Sequence, residues 1–132
     1  LRRLWRQTTI FSLLYALISF AVLIPLLGWI GKPIYAEHLP MYGWLLVVNT
    51  LNSLSMVPHF ALYAQHFDRP IIISHLISLA VFLPACLLLQ EWNHELAVPA
   101  ALSLSMLVML LWKTAMLYRH TPPEYLGRAA AV

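Results

Sequence analysis

Charge is what this sequence has least of. Of 132 residues, 10% are Asp, Glu, Lys or Arg, against 61% hydrophobic, and mean hydropathy is +0.77. A water-soluble domain usually carries about 25% charged residues, so a surface built from this chain aggregates unless lipid serves as a second solvent. Cysteine is nearly absent as well. The single Cys86 lies in an apolar run, which excludes an internal disulfide and leaves the compartment undetermined. There is no Gly-rich phosphate loop and no pairing of a nucleophile with a base, so no catalytic residue is nominated. Net charge is +3, yet the longest basic cluster is Arg2, Arg3 and Arg6, set directly before an apolar run. That placement is a membrane flank rather than an exposed face for nucleic acid, which is not an expected partner.

What is present is apolar length. Four runs, about 8–30, 41–64, 71–89 and 96–118, each approach the roughly 20 residues that cross a bilayer as a helix. Backbone polar groups facing lipid must be satisfied internally, and the runs are continuous rather than alternating, so helices are expected and not a barrel. The expected fold is all-α, a polytopic membrane protein with four transmembrane helices and a tail over 119–132. The first run is about twice as long as the core of a secretory signal and lacks a small-x-small cleavage site, so it reads as a retained span. The chain opens on Leu1 rather than Met, as expected of a processed chain or a piece of a longer protein.

Orientation follows from the basic residues. Alternating the sides places Arg2, Arg3, Arg6, Arg69, Lys113, Arg119 and Arg128 together and leaves Lys32 alone opposite them, seven of the eight Lys and Arg on one side. Basic residues favour the cytoplasmic side, so both termini and the second connection are expected in the cytoplasm. Trp29, Trp44 and Trp92 then fall near the outer interface, and Trp5 and Trp112 near the inner one, the headgroup depths that indole rings prefer.

Polar residues inside the spans are the candidates for function. Asn49, Asn52, Met56, His59 and Tyr63 recur at three- and four-residue steps and so share one helical face, with Ser53 and Ser55 to either side. Such a stripe either lines a hydrated cavity or joins helices through hydrogen bonds of about 0.6 kcal/mol each. A weaker stripe, Thr8, Ser12, Tyr15 and Ser19, marks the first span, and Ser74, His75 and Ser78 form a patch at the start of the third; bonding to their own backbone is the simpler account of these hydroxyls. His59 and His75 flank the second connection at similar distances, which puts them at similar depth on neighbouring helices. Facing imidazoles are what a bis-histidine haem requires, but no ligand cluster accompanies them, and neither a cofactor nor a metal is expected. Lys113 is the one clear charge inside a span. Lying six residues before Arg119, it either snorkels to the cytoplasmic headgroups or meets an anionic substrate. Glu91, His94 and Glu95 share a short outer connection and are expected to be solvated. Each span holds a proline, Pro25, Pro58, Pro84 or Pro99, the last quiet at a helix start and the others either hinges or ordinary membrane-helix prolines.

The order of segments is itself informative. A span ending in PLLGWIGKPIYAEHLP is followed by NTLNSLSMVPHFALYAQHFDRPIII, then by two further spans and LLWKTAMLYRH. Over roughly 8–119 this resembles the polysaccharide (lipid-linked oligosaccharide) flippases of the multidrug/oligosaccharidyl-lipid/polysaccharide exporter superfamily. Gly28, Gly31 and Tyr35 match the family's outer segment, and Leu62, Tyr63, Ala64, Asp68 and Arg69 match its cytoplasmic turn. The outer turn NHELAVPAAL departs from the pattern, offering Ala97, Ala100 and Ala101 but no Gly. The small proton-coupled drug exporters are similar in size, but they need a buried Glu that the first span lacks. The resemblance implies a partial, C-terminal section of a larger helical transporter bundle in the cytoplasmic (inner) membrane. Its partners would be membrane lipids, the remaining helices and a lipid-linked oligosaccharide used in polysaccharide or lipopolysaccharide biosynthesis. It further implies alternating access without enzyme activity, with Asn49, Asn52 and His59, beside Tyr63, toward the sugar and Lys113 toward the pyrophosphate. A different transporter or channel subunit, a non-transporting assembly module, and a membrane enzyme or haem protein are the competing readings.

Overall fold

Residues that are apolar on every side favour a helix whose backbone is satisfied internally and whose side chains need no water. The computed structural model follows that rule throughout residues 1–91 and 93–122, which it describes apart from the side chain of Ala36. The expectations for Trp92 and for Arg128 and the tail beyond Pro122 lie outside the described residues. Five helices run in order: α1 Arg2–Ile30, α2 Pro33–Glu37, α3 Leu39–Ala64, α4 Asp68–Gln90 and α5 Ala97–His120. Four of them, α1, α3, α4 and α5, are long and apolar enough to cross a membrane.

The element boundaries have local causes. α1 begins at Arg2 rather than near Thr8, because nothing between Arg2 and Gln7 breaks a helix. Its 29 residues span about 44 Å at 1.5 Å each, well beyond a hydrocarbon core of about 30 Å. Gly31 ends it in the left-handed conformation, φ 66°, with its N–H on the Leu27 carbonyl. The first connection, expected to be only a polar loop, contains the short helix α2, started by Pro33 where a missing N–H costs nothing.

α3 and α4 are joined by a tighter turn than the sequence suggested, since Asp68, Arg69 and Pro70 belong to the first turn of α4. The N–H of Phe67 bonds the Leu62 carbonyl at 3.0 Å and that of His66 bonds Tyr63 at 3.0 Å, a Schellman closure. Phe67 then packs on Leu62, which with Ile71 and Leu117 forms the core at this end. The closure forces His66 to φ 59°, a region that costs a residue with a Cβ about 1–2 kcal/mol. His66→Gly is therefore expected to stabilise the bundle by about 1 kcal/mol, read as a rise in unfolding midpoint in detergent.

Packing centres on α5, the most buried of the long helices, held between α4 and α3. Its inner ridge steps by four residues: Ala97, Ala101, Ser105, Met109, Lys113 and Leu117 are all buried. α4 answers with Ser74, Ser78 and Ala85. Small residues let helix backbones approach closely where lipid removes any hydrophobic drive for association. The serine hydroxyls cost nothing there, because Ser74, Ser103 and Ser105 donate to the carbonyls of Ile71, Pro99 and Leu102. Ser55 likewise donates to Asn52. α1 is the outlier, buried only at Ser12 and docked chiefly on α3, with Phe20 edge-on to Tyr42 at 5.7 Å. Gly43 lies next to that contact, and an added Cβ would meet the Phe20 ring tip at an ordinary van der Waals distance of 3.7 Å. Helix α1 runs through Pro25, α3 through Pro58 and α4 through Pro84, while Pro99 occupies the first turn of α5.

Candidate functional site

Two polar places interrupt the apolar bundle. The first is the seam between α1 and α3. Gln7, Thr8, Ser12 and Tyr15 from α1 meet Asn49, Thr50 and Ser53 from α3 around an open cavity of about 440 Å³, also lined by Leu4 and Phe11. The stripe of the first span thus faces the second, and Asn49 is drawn into it. Thr50 and Gln7 were not nominated from sequence. Thr50 breaks the three-and-four spacing, and Gln7 precedes the apolar run although the helix includes it.

The rest of the α3 stripe does not enter this cavity. Asn52 is exposed and Tyr63 is 63% exposed, while His59 turns away toward α4. Helical geometry explains the split: at 100° per residue His59 stands about 80° around α3 from Asn49. A stripe that wide spans two neighbours, α1 on one side and α4 on the other, with Asn52 and Tyr63 on the uncovered face between.

The second place lies where α3, α4 and α5 converge. The His59 and His75 rings stand 6.5 Å apart between centroids, at matching depth as their equal distances from the turn imply. Lys113 reaches this region from the α5 ridge. Lys113 is sealed between the helices. It is 0% exposed and its Nζ has no hydrogen-bond partner. The reason is its register: it follows Met109 by one four-residue step and so points between helices, where its stem cannot reach the helix end. His59 Nδ1, Trp112 Nε1 and Thr114 Oγ1 are also buried without partners.

The end of the bundle away from both termini holds a further titratable cluster. Glu95 pairs with His38 of the first connection at 3.6 Å, not with neighbouring His94, and both partners are largely exposed. Asn93 accepts from the N–H groups of Glu95 and Leu96 and so shapes the turn into α5. Among the described residues no three His, Cys, Asp or Glu side chains are grouped to hold a metal ion. No protein-family model, no curated protein and no solved structure matches this chain, so its chemistry is read from these side chains alone.

Proposed function

We propose that the chain is a segment of a transporter that carries lipid-linked oligosaccharide or polysaccharide repeat units across the cytoplasmic membrane. In this reading α1, α3, α4 and α5 span the bilayer with both ends inside, and the remaining helices of a larger bundle complete the cleft. The orientation is supported by Arg2, Arg3, Arg6, Arg69 and Arg119 sharing one end of the bundle while Lys32 stands at the other.

The observation that carries the reading is the α1–α3 seam, a hydroxyl- and amide-lined opening in helices that are otherwise apolar. A glycan entering a membrane needs such groups to replace its hydration. Asn49, Thr50 and Ser53 line the seam, and Asn52 and Tyr63 extend it across the open face of α3. Lys113, beside His59, lies at the separate polar place toward α4 and α5, where its ammonium would meet an anionic linkage between sugar and lipid. Passage breaks no covalent bond, so the segment works by moving and not by catalysis. Helix α1, docked chiefly on α3, is the long helix with most freedom to move in alternating access.

The test is replacement of Asn49 and Asn52 by Leu, in cells whose surface glycan reports export. The double variant is expected to insert at normal abundance and to lower export about tenfold or more. Undiminished export would reduce the seam to helix packing, and the transport reading would fall with it.

A further inference from the structure

A third cavity, of about 550 Å³, opens at the corner where α4 begins and α5 ends. Its lining is sorted by depth. His66, Asp68, Arg69 and His120 stand at the helix ends, while Ile73 lies one turn further along α4. Met116 and Trp112 line it one and two turns back along α5, about 6 and 12 Å from the level of His120 at 1.5 Å per residue. In a helix pair that spans a bilayer this gradient runs from headgroup level toward hydrocarbon, the same order in which a phospholipid changes from polar to apolar.

Two opposite charges face the cavity without pairing with each other. Asp68 and Arg69 are both exposed, and the one ion pair among the described residues is His38 with Glu95. Asp68 sits in the first turn of α4, where the helix dipole favours a carboxylate, and the planar guanidinium of Arg69 suits a phosphate. His120 donates its Nδ1–H to the Met116 carbonyl at 2.9 Å, which leaves Nε2 of the neutral ring as an acceptor. A purely anionic ligand would meet the Asp68 carboxylate, and a simple cation would meet Arg69. Among the described residues no three His, Cys, Asp or Glu side chains are grouped to hold a metal ion. A zwitterion satisfies both charges.

We propose that this cavity holds the headgroup of one amine-bearing zwitterionic phospholipid of the phosphatidylethanolamine class, its phosphate on Arg69 and its ammonium on Asp68. A primary ammonium has N–H donors for the Asp68 carboxylate and for His120 Nε2, whereas a choline headgroup has none and relies on an open aromatic face. Phe67, the aromatic residue at the mouth, is already engaged, with the His120 ring 5.0 Å away and the core of Leu62, Ile71 and Leu117 behind it. The acyl chains leave past the exposed Ile73. Bound in this way, the lipid bridges the first turn of α4 and the last turn of α5. The site rests on these helices spanning a bilayer and is independent of what the chain transports.

The experiment releases the full chain from nanodiscs containing equal amounts of phosphatidylethanolamine, phosphatidylcholine and phosphatidylglycerol, and counts the retained lipids by native mass spectrometry. One phosphatidylethanolamine per chain is expected, held about tenfold more strongly than either competitor, the scale of one charge-assisted hydrogen bond. Arg69→Gln should weaken its retention about tenfold by the same reasoning. Asp68→Asn should remove the preference over anionic phosphatidylglycerol, and Lys32→Gln, at the opposite end of the bundle, should change nothing. The selectivity of the unaltered chain is itself decisive and depends on no variant folding. Equal retention of phosphatidylcholine would overturn recognition of the ammonium, and preference for phosphatidylglycerol would reduce the corner to a basic flank. Phosphatidylethanolamine held unchanged in both Arg69→Gln and Asp68→Asn would place the lipid elsewhere and overturn the site.

Discussion

Lys113→Met is expected to raise the unfolding free energy of the bundle by about 2–3 kcal/mol, the scale of the penalty for an unpartnered charged side chain within an apolar helical bundle. The two side chains have similar length, and Met is flexible enough to fill the channel that the lysine stem occupies. The substitution therefore removes an uncompensated ammonium without leaving a void. The size of the effect depends on Nζ being sealed between helices, as it is here. A lysine whose ammonium reached the headgroups would already be hydrated, and its replacement would change stability by less than about 0.5 kcal/mol. Unfolding in mixed micelles with increasing denaturing detergent distinguishes the two. Under the proposed function the same variant also loses export, because the group that destabilises the resting bundle is the one that meets the substrate's charge. Gain of stability with loss of activity is the usual mark of a functional residue held against its own folding preference.

Ala101→Leu is expected to cost about 1–3 kcal/mol through overpacking. Ala101 is 0% exposed and sits on the α5 ridge between Ala97 and Ser105, where three further carbons have no room unless the neighbouring helices move apart. The matched control is Val98→Leu on the outer face of the same helix, where Val98 is 53% exposed and the change should stay within about 0.5 kcal/mol. Equal behaviour of the two variants would mean that α5 does not pack through its small residues.

Much of this architecture was legible from the amino acids. The four long helices fall where uninterrupted apolar length put them, because run length is a property of the chain and needs no knowledge of neighbours. The pairing in depth of His59 with His75 was legible too: they lie eight residues before and eight after Phe67, and a tight helical turn converts equal sequence distance into equal depth. Where hydropathy alone set a boundary the reading was less accurate. The start of α1 was placed six residues late, since a helix continues through Arg2–Gln7 although the apolar run does not. The short α2 was missed because five residues carry no periodicity.

The inner face of each helix was decided only by the tertiary structure. In a soluble bundle the apolar stripe marks the core, but these helices are apolar all round, so periodicity has no contrast to reveal. The buried ridge of α5 is instead distinguished by small side chains, and the same ridge carries Lys113 inward by register. The α3 stripe divides for a related reason: Asn49 and His59 belong to one polar arc, and the placement of α1 and α4 assigns one to each neighbour. Composition determined that the chain would fold as long apolar helices. Close approach between small residues, rather than any apolar stripe, determined which of their polar groups meet.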